Sequence, residues 1–303
     1  MRKVIVTTTI NPPTDAIRRF DSIEGWELVV IGDLKTPKDY KLERGIYVSP
    51  EEQASYDKEL SLCIGWNCIQ RRNFGLLWAV DLSADIVATV DDDNIPYDLW
   101  GQEITIGRET SVNFYRTDLA AFDPVGATNE GRLWHRGYPL QLLATRDYSD
   151  SSRETIVPDV QADFWNGDPD IDAICRMEHA PECHFDVGCF PFAANKMSPF
   201  NSQNTFLSGR CLRDYFLFPH VGRMDDIWAS YYLQAKGATV VYCRPSVYQQ
   251  RNSHDLIKDM KQEYLGYENN LRIVTNLAND PERIIDYLPE RAIKAFELYR
   301  RHF

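Results

Sequence analysis

A chain of 303 residues is long enough to bury a large core, as one domain or as one domain with an appendage. Its net charge of −12 argues against broad nucleic-acid binding, which depends on basic surfaces facing phosphate. Hydrophobic residues make up 44% of the chain and charged residues 26%, which is typical of a soluble globular protein.

Cysteines and apolar runs bear on the cellular setting. The seven cysteines are scattered and form no CxxC pair, a pattern that favours a reducing cytosol. No apolar run approaches the ~20 residues needed to cross a bilayer. The N-terminus enters a strand without a signal-peptide core. We therefore expect a cytoplasmic protein with no integral membrane segment.

The first thirty residues predict a βαβ unit. A strand over Lys3–Thr9 is followed by a helix with Thr14 as its N-cap, and then by a second strand over Trp26–Ile31. Such a unit indicates a parallel sheet, and parallel sheets bind ligands beyond the carboxyl ends of their strands. No GxGxxG follows the first strand, so a dinucleotide fold of the dehydrogenase type is disfavoured.

Four polar residues follow these two strands and are candidate ligand-binding residues: Thr8, Asn11, Asp33 and Lys35. Asp33 can hold a ribose or a base through hydrogen bonds. The alternative for Asp33 is an ordinary turn residue, and the sequence leaves both interpretations open.

Three consecutive carboxylates, Asp91, Asp92 and Asp93, close a strand that begins at Ile86. Adjacent anions repel one another, and a cation among their oxygens relieves that repulsion. Hard oxygen ligands suit Mg²⁺ or Mn²⁺. The alternative is a solvated acidic turn.

A helix predicted over about 67–83 precedes the acidic strand. Arg72 lies roughly 16 Å along this helix from Ser83, at ~1.5 Å per residue. The strand from Ile86 to Asp91 also spans roughly 16 Å, at ~3.3 Å per residue. An antiparallel packing therefore returns Arg72 to the level of Asp91. There Arg71 and Arg72 can grip a diphosphate or balance the acids, unless they are simply solvated.

The chain after the acidic strand offers four further candidate residues. Arg136 lies in an aromatic loop that can stack a sugar or base, or that is an ordinary packed turn. Asp225 and Asp226 open a predicted helix that runs to Gly237, where they act either as a general base or as an N-cap. His254 is a candidate metal ligand or a surface residue. The polar stretches 159–174 and 190–206 are interpreted as the acceptor side, and the C-terminus as two helices.

These motifs resemble, in order and spacing, the plant reversibly glycosylated polypeptides, which are UDP-arabinopyranose mutases. The matching segments are Arg72–Gly75 before the acids, Arg136–Pro139, Asn204, Arg223–Trp228 and Lys261–Gly266. The chain resembles the STELLO-type glycosyltransferase-like domain even more closely, at Ile64–Asn67 and Asp91–Pro96.

The resemblance implies a GT-A-like α/β fold, with a Rossmann-like, mostly parallel central sheet flanked by helices and with C-terminal helices. It implies a UDP-sugar donor and Mn²⁺ or Mg²⁺ held by a DXD motif, Asp91 and Asp93. It also places Arg72 at the arginine that the mutases glycosylate. Residues 1–250 then form the catalytic domain, and 251–303 a helical extension packed on it. The mutases carry a histidine near the position of Gln250, whereas the histidine nearest that position here is His254.

The leading hypothesis is therefore a metal-dependent glycosyltransferase that moves a sugar from UDP to a glycan, small-molecule or protein acceptor. The alternatives are a UDP-sugar mutase that glycosylates its own Arg72, and a non-catalytic nucleotide-sugar-binding scaffold. A homo-oligomer is left open. The predicted residues are Asp225, Asp226 and Arg72 for catalysis, Thr8, Asn11, Asp33, Lys35, Arg72, Asp91, Asp92 and Arg136 for the donor, and Asp91, Asp93 and His254 for the metal.

Overall fold

The computed structural model describes residues 1–250 and 255–303, and its first elements form the expected βαβ unit. Strands β1 (Lys3–Thr9) and β2 (Glu27–Gly32) are parallel, with helix α1 (Asp15–Ser22) between them. The hydroxyl of Thr14 accepts from the amide of Ile17 at 3.2 Å, so the predicted N-cap is confirmed.

The next elements extend this parallel sheet. They are β3 (Ile46–Val48), α2 (Pro50–Tyr56), α3 (Lys58–Ile64), α4 (Arg72–Asp81) and β4 (Ile86–Val90). The strand order β3-β2-β1-β4 is parallel throughout. The carboxyl ends of β1, β2 and β4 therefore meet at one edge, as the sequence predicts.

Helix α4 lies unusually close to the sheet. A side chain at Gly75 would come within 2.2 Å of Val6 on β1, so only glycine permits this approach. The helix begins at Arg72 rather than near Asn67, because Asn67 has a left-handed φ of +57° and the residues Ile69–Arg71 form a 3₁₀ turn. The predicted start was five residues too early.

The rest of the sheet is mixed. Its strands are β5 (Asn94–Pro96), β6 (Thr110–Tyr115), β7 (Ser151–Ile156), β8 (Val160–Gly167), β9 (Phe192–Ala194), β10 (Asn204–Ser208) and β11 (Val240–Gln249). Across the described ranges the order is β3-β2-β1-β4-β10-β8-β11-β9-β6-β7, and β5 pairs with β11. Strand β10 is antiparallel to both of its neighbours, while β8 and β11 are parallel. The two polar stretches interpreted as the acceptor side thus contain β8, β9 and the start of β10.

The remaining helices are α5 (Ala173–His179), α6 (Asp225–Ala235), α7 (Leu256–Leu277) and α8 (Glu290–Arg300), which confirms the two C-terminal helices. The fold class is thereby an α/β protein with a central sheet flanked by helices, as predicted. No helix in the described ranges is both long and apolar enough to cross a membrane.

The C-terminal helices share the core of the preceding chain. Tyr299 and Phe296 on α8 pack their rings 4.9 and 5.4 Å from that of Phe216. On α7, the buried carboxylate of Glu263 accepts from Arg223 Nε at 2.9 Å and from the amide of Ala173 at 2.7 Å. The division of the chain at residue 250 stays a prediction.

Candidate functional site

A cleft of about 890 Å³ opens at the edge where the parallel strands end. Its walls are the turn after β4, the segment Ile64–Gln70 and the start of α6. Five predicted residues line it: Asp91, Asp93, Arg136, Asp225 and Asp226. The structure thus brings together acids that are more than 130 positions apart in the sequence.

Arg72 reaches the acidic turn as the helix and strand lengths predict. Its Nη2 donates to Asp91 Oδ1 at 2.7 Å, and its Nη1 donates to the carbonyl of Ser202 at 2.6 Å. The arginine side chain is 1% exposed and that of Asp91 24% exposed. Thr8 Oγ1 lies 3.5 Å from Arg72 Nη2, and Thr8 is not among the described residues that line the cleft.

Asp92 has a different orientation from its two neighbours. Its Oδ2 accepts from Thr9 Oγ1 at 2.5 Å and from Asn11 Nδ2 at 3.1 Å. Its backbone carbonyl accepts from Thr14 Oγ1 at 2.6 Å. Asp92 and Asn11 therefore fasten the loop after β1, and neither is among the described residues that line the cleft.

Asp33 is buried and bonded to backbone amides. Its Oδ1 accepts from Leu34 at 2.6 Å and its Oδ2 from Cys68 at 3.1 Å. These contacts are those of a turn residue, and they tie the segment Ile64–Gln70 to the end of β2. Lys35, two residues further on, is exposed. A nucleotide-binding role for Asp33 and Lys35 stays a prediction.

Arg136 locks two buried aspartates into one network. Its Nε and Nη2 donate to Asp170 at 2.8 and 2.9 Å, and its Nη1 and Nη2 donate to Asp226 at 3.0 and 3.1 Å. Burial disfavours the charged guanidinium, but Asp170 and Asp226 raise the pKa of Arg136 well above its ordinary value. Such bidentate pairs fix the geometry of both partners.

Asp225 and Asp226 do not cap helix α6, contrary to the N-cap alternative. The N-cap position is Met224, and the helix end has no side-chain cap. Instead Asp226 Oδ2 accepts from the amide of Ser202 at 2.9 Å, and Asp225 Oδ2 accepts from Gln70 Nε2 at 2.7 Å.

The carboxyl group of Asp225 is suited to proton transfer near neutral pH. Burial, and next the charge of Asp226, raise the pKa of Asp225 to about 7, with Arg136 acting in the opposite direction. A group with such a pKa can take or give a proton under ordinary conditions. The site therefore holds one acid that is fixed by arginine beside one that can titrate near neutral pH.

Sequence reasoning missed several polar residues of this site. Asp170 lies in the polar stretch 159–174, and Ser202 and Gln203 lie in the polar stretch 190–206, where the sequence singles out none of them. Gln70 fell inside a predicted helix. Asp170 contacts Arg136, Ser202 contacts Asp226, and Gln70 contacts Asp225. These contacts span 24 to 155 residues of the sequence, so no local pattern shows them.

The turn after β4 fits a divalent cation by ligand type. Asp91 and Asp93 both line the cleft, and Arg72 engages one of the two oxygens of Asp91. Magnesium at nucleotide sites typically takes one or two carboxylates and completes its shell with phosphate and water oxygens. No group of three or more His, Cys, Asp or Glu ligands occurs in the two described ranges. His254, the third predicted ligand, lies outside them.

Two curated proteins match the sequence of this chain. The curated relatives are named as probable glycosyltransferases, and the chain is homologous to them over most of its length. They are STELLO2 and STELLO1 of Arabidopsis thaliana. This chain is 22% identical to STELLO2 over 277 residues, covering 81% of this chain and 35% of that protein. It is 22% identical to STELLO1 over 259 residues, covering 77% and 33%.

The predicted STELLO-type resemblance is thereby confirmed, while the relation to the mutases stays a prediction. The chain spans about a third of the length of these relatives. No protein-family model matches it.

Solved structures of similar shape include glucosyl-3-phosphoglycerate synthase from Mycobacterium tuberculosis. Its complex with Mn²⁺, UDP-glucose and phosphoglyceric acid gives a TM-score of 0.49 at 14% identity, covering 89% of this chain and 79% of that one. The complex with phosphoglyceric acid alone gives a TM-score of 0.46 at 13% identity, covering 90% and 80%.

Proposed function

We propose that the chain is a metal-dependent glycosyltransferase domain that transfers a sugar from a UDP-sugar donor to an acceptor. The observation that carries the proposal is the meeting of two unlike acid groups in one cleft. Partly exposed carboxylates after β4 face two buried acids at the start of α6: Asp226, which Arg136 holds, and Asp225, whose pKa is raised to about 7. Homology to STELLO1 and STELLO2, which are named as probable glycosyltransferases, supports the same class.

In this proposal Asp91 and Asp93 would hold the cation, Mn²⁺ or Mg²⁺, beside the diphosphate of the donor. His254 stays a candidate third ligand. When bound, the cation offsets the charge that develops on the departing diphosphate. Arg72 fixes the orientation of Asp91 through its 2.7 Å bond and adds positive charge behind it.

Asp225 is the proposed base that takes the proton of the acceptor hydroxyl. Its raised pKa suits this role, because it can hold a proton near neutral pH and release it afterwards. Asp226, fixed by Arg136 and by the amide of Ser202, orients the sugar. Arg136 serves through the acids it holds, since its donors are directed at Asp170, Asp226 and the carbonyl of Arg223.

The mutase alternative requires the sugar to reach the side chain of Arg72. That side chain is 1% exposed and is bonded to Ser202 and Asp91, which favours a supporting role over a covalent one. The contacts therefore support transfer to an external acceptor more than self-glycosylation.

The test combines binding and product analysis on the full chain. A panel of UDP-sugars is screened by thermal shift with Mn²⁺ and with EDTA, because a bound donor raises the apparent melting temperature by mass action. Donors that bind are then incubated with candidate acceptors. Metal-dependent release of UDP with sugar on the acceptor is the expected result.

Three other outcomes contradict the proposal in different ways. A ring-contracted UDP-sugar identifies a mutase. Metal-dependent UDP binding with no turnover of any donor identifies a scaffold. Absence of UDP binding, with or without Mn²⁺, removes the donor site altogether.

A further inference from the structure

Arg71 is a buried cation that the proposed mechanism does not use. Its side chain has no exposed surface, and its hydrogen bonds go to Gln53, Ser61 and Gly65 rather than to a carboxylate. Burying a charge in this way costs free energy unless other contacts offset the loss of water. Arg71 Nε donates to Gln53 Oε1 at 2.8 Å, and its Nη1 donates to Ser61 Oγ at 3.0 Å.

Arg71 also contacts two aromatic rings. Its guanidinium carbon lies 3.7 Å from the ring centroid of Trp66 and 4.4 Å from that of Phe74. Burial lowers the pKa of Arg71 to about 10, so the group keeps its charge at neutral pH. A desolvated cation on an aromatic face is a strong contact. Trp66 is therefore fixed through a fully buried partner.

Trp66 itself is only partly buried and lines the cleft. Its two neighbours have left-handed backbone, with φ of +87° at Gly65 and +57° at Asn67. The segment is anchored further along the chain, where the amide of Cys68 donates to Asp33 and the amide group of Gln70 to Asp225. The ring is thus held rigidly at the wall of the proposed donor site.

The position of this wall along the sheet edge indicates which part of a ligand it meets. Cys68 is bonded to Asp33 at the end of β2, and the strand order is β2-β1-β4. Two strand spacings, roughly 10 Å, separate the end of β2 from the end of β4. If the diphosphate lies at Asp91 and Asp93, the nucleoside can extend toward β2 while the sugar extends toward α6.

We infer that Trp66 is the platform on which the planar base of the donor nucleotide stacks, and that Arg71 is the positioning residue that holds it. The inference rests on the proposed function and assigns a residue to its nucleoside subsite. A ring already fixed by the protein stacks a base at a low cost in side-chain entropy.

The experiment separates the base from the phosphates. Binding of UDP and of inorganic pyrophosphate, each with Mn²⁺, is measured by calorimetry for the wild type and for Trp66→Leu and Trp66→Phe. Trp78→Phe is the matched control, since Trp78 is a half-buried tryptophan on α4 that packs against Tyr56.

Trp66→Leu should weaken UDP binding by roughly ten- to a hundredfold, the range expected for loss of one stacked base. Trp66→Phe should weaken it less, because a stacking face remains. Pyrophosphate binding should be unchanged in all variants. UDP should also quench tryptophan fluorescence in the wild type and in Trp78→Phe, and the quench should disappear in Trp66→Phe.

Several results overturn the inference. Unchanged UDP binding by Trp66→Leu would show that Trp66 does not stack the base, although the proposed donor site would stand. Equal losses for UDP and pyrophosphate indicate a disturbed cleft and not a lost stacking contact. A loss confined to the complete UDP-sugar moves the platform to the sugar. A wild type that binds neither probe contradicts the proposed function itself.

Discussion

The two acid groups of the cleft contain the same residue type in opposite physical states. After β4, the side chain of Asp91 is 24% exposed and makes one ion pair, with Arg72. At the start of α6, Asp225 and Asp226 are each 5% exposed, and Asp226 is fixed by two bonds from Arg136.

This difference separates two tasks that carboxylates can perform. A partly hydrated carboxylate can exchange ions at little cost, because it is already paired with water in the absence of a cation. Asp226 is buried and held by two hydrogen bonds from Arg136, so its geometry is fixed. Burial also raises the pKa of the neighbouring Asp225. We expect mutations at the start of α6 to change the stability of the protein, and mutations in the turn after β4 to change ligand binding.

The largest expected effect on stability is at Arg136. Replacement of Arg136 by Met removes the guanidinium that pairs with the buried Asp170 and Asp226, which should lower the free energy of unfolding by about 3–5 kcal/mol. Urea unfolding measures this change. The control is Arg19→Met, which removes an exposed pair with Asp15 and should cost no more than about 0.5 kcal/mol. Similar losses of unfolding free energy for both variants would show that the buried pairs of Arg136 stabilise the fold no more than an exposed ion pair does.

The next largest effect is on ligand binding and is expected for mutation of Asp93, in the turn after β4. Asp93→Ala should reduce UDP affinity in Mn²⁺ to the level seen in EDTA, because one of two proposed metal-binding carboxylates is gone. The fold should stay largely intact, with a melting temperature close to that of the wild type. Calorimetry and thermal unfolding provide the two measurements. Wild-type UDP affinity in this variant would contradict the metal site.

A smaller effect concerns the pH dependence of stability at Asp225. The folded pKa is about 7, whereas an unperturbed aspartate titrates near 3.8. Below about pH 4 both states are protonated. As pH rises further the unfolded state ionises first, so stability falls until about pH 7 and the full cost is present above it.

Asp225→Asn removes this cost. Relative to wild type, its free energy of unfolding should rise by up to about 4 kcal/mol between acidic and mildly alkaline pH, since about three pKa units separate the folded and unfolded states and each corresponds to about 1.4 kcal/mol. Burial also raises the pKa of Asp163 and Asp172 to about 7, but both proteins contain them and their contributions cancel. A pH-independent difference in urea unfolding would show that Asp225 titrates normally.

The smallest expected effect on binding is at Asp92, between the two proposed metal-binding residues. Its carboxylate is bonded to Thr9 and Asn11, outside the cleft. Asp92→Asn should therefore change UDP affinity in Mn²⁺ by less than about fivefold, or ~1 kcal/mol. A loss as large as that of Asp93→Ala would show that all three acids act together in binding.

The features predictable from sequence are those set by local geometry. The parallel N-terminal strands follow from hydrophobic patterning, and the Arg72–Asp91 contact follows from helix and strand rise alone. The rest depends on long-range pairing. Strands β8 and β10 contain Gln161, Asp163 and Asn204 at buried positions, so their composition resembles that of polar loops. The partnership of Arg136 with Asp170 and Asp226 likewise spans 34 and 90 residues.

The contact between α7 and the site has a practical consequence for shortening this chain. Glu263 accepts from Arg223 Nε at 2.9 Å, and the backbone carbonyl of Arg223 accepts from Arg136. A fragment ending at residue 250 would leave the turn before Asp225 without its outer support. Helix α7 thus supports the proposed catalytic acids through Glu263 and Arg223. We expect a protein truncated at residue 250 to lose the shape of its cleft.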